Sequence, residues 1–194
     1  LQSKAKTILT SAKTKNSFET KRLLVRPLNS QDKALFIELH TNEKIMKHTG
    51  GAVSQEVAHA KFETALKLNQ TKPAKFSIWT IVSTVNNETI GFEMLYQTNK
   101  HRQEKIWEIG IMMANSGQNR GLSEEAINSL LEFAFTCLNI DEIVARFAEE
   151  NVKTHRLVEK TGFIFDYSAI ENGNYYAFIN KKTWSKMVNN FAVQ

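Results

Sequence analysis

Six consecutive residues, Gln118-Asn119-Arg120-Gly121-Leu122-Ser123, could bind an anion. They run into apolar residues at Ala126, Ile127, Leu130, Leu131, Ala134, Phe135 and Leu138. That i, i+1, i+4, i+5 spacing lays one stripe along a 3.6-residue helix. A helix start presents unpaired backbone N–H groups and a partial positive charge, and both suit phosphate. Gly121 permits a positive φ or a close approach of backbone to ligand, and Arg120 adds a fixed cation. Two readings stand at this point: an anion-binding helix N-terminus, or a glycine-bearing loop before an ordinary amphipathic helix.

A second candidate lies in Ile106-Trp107-Glu108-Ile109-Gly110-Ile111-Met112-Met113. Strand alternation puts Glu108 on the face with Ile106, Gly110 and Met112, opposite Trp107, Ile109 and Ile111. An acid set among apolar residues is either a proton-transfer group or half of a salt bridge. Other chemistries find less support. His40, His48, His59, His101 and His155 show no metal-ligand spacing, and no zincin or P-loop motif occurs, so no metal and no nucleotide hydrolysis are expected. Cys137 has no second cysteine to pair with and falls late in the helix beside the apolar stripe, where packing is its expected role.

The elements that must hold these residues follow from hydrophobic periodicity. Phe18 to Leu28 alternates as a first strand ending near Pro27. Asn29-Ser30-Gln31-Asp32 supplies cap chemistry for a short helix over Ala34 to Leu39. Two glycines, Gly50 and Gly51, break the connection that follows. Ser54 then caps a helix through Leu68 that buries Val57, Ala58, Phe62, Ala65 and Leu66. Phe76 to Val85 and Thr89 to Tyr96 form a hairpin about Asn86-Asn87-Glu88, with Gly91 marking a bulge or close backbone approach. After the Glu108 strand and the central helix come a strand over Glu142 to Ala148 and a short helix from Lys153 to Lys160, with Gly162 in the C′ position. Phe163 to Ser168 and Tyr175 to Asn180 close the chain around Asn172-Gly173. One strand–helix–strand unit flanked by hairpins means a mixed sheet with helices on its faces.

A chain of 194 residues, 42% hydrophobic with 12 Phe and 3 Trp, is long and apolar enough for one core, which excludes general disorder. No linker divides it: residues 18–188 form one domain between tails at 1–17 and 189–194. No apolar run reaches the roughly 18 residues that cross a bilayer, and no signal-peptide pattern is present, so a cytoplasmic protein without a membrane partner is expected. The net charge of +5 draws in part on Lys4, Lys6, Lys13 and Lys15 and is too mild to indicate nucleic acid.

Three segments together resemble the GNAT superfamily of N-acetyltransferases. Gln118 to Ser123 looks like its Q/R-x-x-G-x-G/A pyrophosphate loop, with Ser123 where the family has Gly or Ala. Glu150-Asn151-Val152-Lys153-Thr154-His155-Arg156-Leu157-Val158-Glu159-Lys160-Thr161-Gly162-Phe163 is similar to E-N-x-x-S-x-x-x-x-E-K-x-G-F. Phe18 to Leu28 is similar to the opening strand F-E-T-x-R-L-x-L-R-P-L. The last two belong to the branch that contains the ribosomal-protein N-terminal (alanine/serine) acetyltransferases. The three occur in family order over residues 18 to 184.

The resemblance implies a single-domain α+β, α/β/α fold with a mixed, mostly antiparallel twisted sheet and helices on both faces. It implies acetyl transfer from acetyl-CoA directly to a primary amine, most readily a protein N-terminal amine. By the same resemblance Ile111, Met112 and Met113 offer backbone to the pantetheine arm and Gln118, Asn119, Arg120, Gly121, Leu122 and Ser123 hold the pyrophosphate. Asn151 contacts the cofactor or caps the next helix. Glu108 matches the family's acidic strand position and is the candidate base. Thr154 stands where the branch has a serine near the thioester, and Val158 stands where many relatives have a tyrosine. Two other functions remain open, a small-amine acetyltransferase (polyamine, amino sugar or antibiotic) and a catalytically silent acyl-CoA-binding module. A monomer or homodimer is expected.

Overall fold

The computed structural model describes residues 16–97, 106–118, 120–170 and 172–192. Most of the basic tail, Asn119 and the loop before Ile106 lie outside them. Eight strands form one sheet in the order β1-β2-β3-β4-β5-β6-β8-β7. They are β1 (Phe18–Glu19), β2 (Leu23–Pro27), β3 (Phe76–Ser83), β4 (Thr89–Gln97), β5 (Ile106–Met113), β6 (Glu142–Ala148), β7 (Ile164–Phe165) and β8 (Asn174–Asn180). Every pairing is antiparallel except β5 with β6. The helices are α1 (Lys33–Thr41), α2 (Glu43–Met46), α3 (Gln55–Gln70), α4 (Leu122–Thr136), α5 (Val152–Lys160) and α6 (Lys181–Ala192). No helix among the described residues is long and apolar enough to cross a membrane.

Strand alternation divides the core in two. Residues such as Ile109, Met113, Ile143 and Ala145 pack with Ala126, Ile127, Leu130 and Leu131 of α4. On the opposite face Phe92 and Ile78 pack with Phe36 and Leu39 of α1 and Phe62 of α3, and Met94 and Met112 border this smaller core. The α4 stripe is buried as its spacing predicts, but only as far as Phe135. Leu138 lies beyond the helix, 39% exposed, and Cys137 is exposed instead of packed. The reason is local: Asn139 adopts φ 52 and turns the chain before another helical turn can bring either residue to the core.

Three further expectations are corrected. The opening strand is two strands, β1 folding back on β2 with Phe18 opposite Val25. Val57 is 45% exposed, while Ala58, Phe62 and Ala65 form the buried face of α3. The stretch after Ile164–Phe165 becomes a 3-10 turn at Tyr167–Ala169 instead of continuing as strand. Helix α6, which the hydrophobic periodicity does not announce, runs through residues 189–192 of the expected tail. Gly91 does meet a close approach: a Cβ there would lie 2.5 Å from the Met112 carbonyl oxygen, beside the register shift at Ile81/Val82.

One buried group is energetically costly. Glu93 sits in the β3–β4–β5 row between Trp79 and Ile111, two residues of the core beneath α4. It is fully buried, and neither carboxyl oxygen has a hydrogen-bond partner among the described residues. Burial pushes its carboxyl well above the ordinary value of 4.5. The folded chain therefore holds this proton more tightly than the unfolded chain does. The resulting contribution to stability is complete below the unfolded value and is lost as pH rises toward the folded one. Denaturant unfolding is expected to show wild-type stability falling from pH 5 to pH 8 relative to Glu93→Gln, whose side chain does not ionise. Glu93→Met should be more stable than wild type by about 1–3 kcal/mol, the usual cost of an unsatisfied buried polar group. A wild-type minus Glu93→Gln difference that stays constant with pH would show that Glu93 does not titrate in the core.

Candidate active site

Strands β5 and β6 pair only over three residues each, Ile106 to Glu108 with Glu142 to Val144. Beyond that they diverge, β5 staying with β4 as far as Met113 and β6 with β8 as far as Ala148. A cavity of about 120 Å³ opens where the ladder stops. Ile109, Gly110 and Ile111 line it from β5, and Ala145, Arg146 and Phe147 from β6. Ile127 of α4 and Asn151, Thr154, Leu157 and Val158 around α5 close one side. His48 and Thr49 line it from the loop after α2.

That loop is shaped by backbone bonds. The Thr49 and Gly51 N–H groups donate to the Met46 carbonyl, and the Val53 N–H donates to the His40 carbonyl. Gly50 and Gly51, at φ 95 and 84, allow the reversal. Neither His48 nor Thr49 stands out in the sequence as a site residue, because only the tertiary fold brings that loop to the cavity.

The anion-binding candidate lies at the start of α4. Gly121 is its N-cap, with φ 70 and no side-chain cap bond, so the first N–H groups keep no side-chain acceptor. The turn between β1 and β2 clamps this start. Glu125 of the first helical turn accepts from the Thr20 hydroxyl, the Arg22 backbone N–H and the Arg22 Nε at 2.5, 3.0 and 2.6 Å. Arg22 Nη1 also donates to the Arg120 carbonyl at 2.9 Å. Gln118 donates to the Met113 carbonyl at 3.2 Å, and Lys153 Nζ of α5 lies 3.5 Å from its Oε1. Arg120 is exposed, Leu122 is buried, and Ser123 is half-buried. Asn119 lies outside the described residues.

The remaining sequence candidates separate. Ile111 lines the cavity, whereas Met112 turns to the α1/α3 core and Met113 to the α4 core. Asn151 lines the cavity and also caps α5, its Oδ1 accepting from the Thr154 N–H at 3.2 Å. The capping reading of that residue is thus observed, and its place on the cavity wall leaves it within reach of a bound ligand. Thr154 and Val158 are on the cavity wall. Glu108 is not: it is buried behind Arg146, whose Nη2 lies 3.2 Å from Glu108 Oε2. Tyr96 lies opposite Glu108 in β4, and Tyr176 lies opposite Arg146 in β8. Burial, together with the Glu108 carboxylate it bonds, holds the Tyr96 phenol well above its ordinary value. Burial and the charges of Glu142, Asp166 and Glu108 push Tyr176 up to about 12. The four side chains make one polar row across the sheet face.

This arrangement fits a pyrophosphate-bearing thioester. The diverging edges of β5 and β6 leave backbone groups without strand partners, the N–H groups of the uncapped helix start can donate to phosphate oxygens, Arg22 matches the Glu125 carboxylate of the first turn, and Lys153 brings a cation beside Gln118. The passage between strands can hold the thioester end against an amine entering from the His48 side.

Residues 22–164 match the sequence model of the acetyltransferase (GNAT) domain family. The uncharacterized N-acetyltransferase YnaD of Bacillus subtilis (strain 168) is 27% identical over 174 residues, which cover 86% of this chain and 98% of that protein. The solved structure of spermidine N-acetyltransferase from Vibrio cholerae, in complex with CoA and spermine, aligns with a TM-score of 0.68 at 21% identity over 84% of this chain and 98% of that one. An aminoglycoside acetyltransferase in complex with coenzyme A gives 0.71 at 17% identity, over 84% of this chain and 98% of its own. At these identities the two structural likenesses are likenesses of fold.

A β-branched side chain is strained at φ 70, and it would project where the backbone must meet a phosphate. Gly121→Val is therefore expected to weaken CoA binding by about tenfold or more, the equivalent of a contact of about 1.4 kcal/mol. Calorimetry measures it, with circular dichroism confirming the fold. Equal affinity in a folded variant would move the donor site away from this loop.

Proposed function

The chain belongs to the GNAT acetyltransferase family and is an acetyl-CoA-dependent N-acetyltransferase; from that premise we propose that its acceptor is a protein N-terminal amine. One observation carries the choice of acceptor. The candidate base, Glu108, is already held by Arg146 and Tyr96, so only modest help is at hand for removing a proton from the amine. An α-amine, ordinarily near 7.7–8.0, needs only that, whereas a lysine-type amine near 10.4 needs much more. The likeness of residues 18–28 and 150–163 to the ribosomal-protein branch supports the same acceptor. A small-amine acceptor is the second reading, favoured by the spermidine- and aminoglycoside-acetylating neighbours.

In the proposed reaction the amine nitrogen attacks the thioester carbonyl, a C–N bond forms, and the C–S bond breaks. The products are an N-acetyl amide and a free thiol, and one proton passes in net from nitrogen to sulfur. Gln118, Arg120, Gly121, Leu122 and Ser123, with Asn119, hold the pyrophosphate. The β5 edge at Ile111 to Met113 orients the arm, and Asn151 contacts it from α5. Glu108 accepts the amine proton through water. Thr154 donates a hydrogen bond to the leaving sulfur, a place Val158 cannot fill.

A screen of peptide N-termini and small amines, read by thiol release, tests the acceptor; turnover confined to small amines rejects the protein substrate. Glu108→Gln should lower turnover by about 10²- to 10⁴-fold and keep CoA affinity. A loss smaller than about threefold would leave Glu108 structural and pass the base role to His48, which lines the cavity. Thr154→Val is nearly isosteric and should cost about 10²- to 10³-fold in kcat, with Thr154→Ser retaining most activity. Full turnover in Thr154→Val would mean that solvent protonates the thiolate.

A further inference from the structure

We infer that Arg146 selects the acceptor: the cavity takes an amine with a carbonyl oxygen three bonds away, as in a peptide N-terminus, and turns away polycations. The inference rests on the N-terminal reading above and adds the residue and the chemistry that would enforce it.

Among the described residues that line the cavity, the two with basic side chains are Arg146 and His48, and none is a carboxylate. The nearby acid, Glu108, is only 6% exposed and lies behind the guanidinium at 3.2 Å, with the Tyr96 hydroxyl also bonded to it. A second ammonium on the acceptor would leave water beside a cation, with no exposed acid to receive it. A carbonyl oxygen meets the opposite situation. The guanidinium has five N–H donors and is engaged by Glu108 and Tyr96, while its side chain remains 35% exposed. Arg146 stands two residues beyond Val144, the last β6 residue paired with β5, as Gly110, which has no side chain, stands two residues beyond Glu108 on β5, and both line the cavity. An oxygen held by Arg146 thus brings an amine three bonds away toward bare backbone beside the thioester passage. Glu108 holds the guanidinium in place from behind, and Tyr176, directly across on β8, flanks it.

Removing Arg146 alone strands a buried carboxylate, so the test uses the charge-balanced double variant Glu108→Gln/Arg146→Gln, with Glu108→Gln alone as its reference. Three acceptors are compared: a peptide with a free N-terminus, the same peptide with its first carbonyl reduced to methylene, and spermidine. The intact protein is expected to prefer the peptide over its reduced analogue by roughly 10- to 100-fold in kcat/KM, the worth of a hydrogen bond to a charged group. Spermidine should not be used. Glu108→Gln should keep that ratio, and the double variant should bring it near unity, chiefly through KM, with CoA affinity unchanged.

Equal ratios in the single and double variants, or efficient turnover of spermidine by the intact protein, would overturn the inference. A carbonyl preference that depends on Arg146 but is seen only with amino-acid amides would uphold it while rejecting the protein substrate. Should turnover be too slow to compare, calorimetric titration of the peptide and its reduced analogue into the CoA-bound protein gives the same ratio. A ratio that falls toward unity in the double variant upholds the inference, and a ratio that persists there overturns it.

Discussion

The early end of the β5–β6 ladder is the constraint on which the candidate site depends. Three residues of each strand pair, and then each follows its other neighbour, β4 or β8. A sheet interior would ordinarily satisfy these backbone groups with one another. Here they open onto a cavity that joins the α4/α5 face to the loop after α2. Donor and acceptor can therefore approach from opposite faces and meet within the sheet.

Around that opening the chain fixes its loop from a distance. The β1–β2 turn reaches about a hundred residues along the sequence to hold the start of α4, with Thr20 and Arg22 on the Glu125 carboxylate and Arg22 on the Arg120 carbonyl. Glu125 would otherwise stand as an unmatched anion in the first turn of the helix. Arg22 engages it, and the N–H groups of the first turn remain available. Gln118, bonded to Met113 and close to Lys153, ties the same loop to β5 and α5.

The polar row Tyr96–Glu108–Arg146–Tyr176 illustrates how one buried acid can carry two roles. Its charge is matched by Arg146, which makes burial tolerable, and its position behind the cavity orients a guanidinium that does reach the cavity. Glu93 shows the contrary case: an acid with no partner at all among the described residues, for which the proton itself is the cheapest compensation.

Local signals determined most of the elements. The stripe from Ala126 to Phe135, the Ser54 and Asn151 caps, Gly162 in the left-handed C′ position at φ 83, and the Gly121 helix entry all concern residues within a turn or two of each other, where spacing alone decides. The GNAT fold and the glycine entry to α4 were legible for that reason. What depended on distant partners was not. Whether Glu108 faces solvent, a substrate or a cation depends on Arg146 in another strand. Whether His48 and Thr49 touch the site depends on how a glycine pair folds their loop across the sheet. The sequence by itself determined which segments could bind a pyrophosphate and bury a core. Only the tertiary structure decided which side chains share the cavity, because side-chain neighbours across strands are set by register and divergence, and neither is written in any one segment.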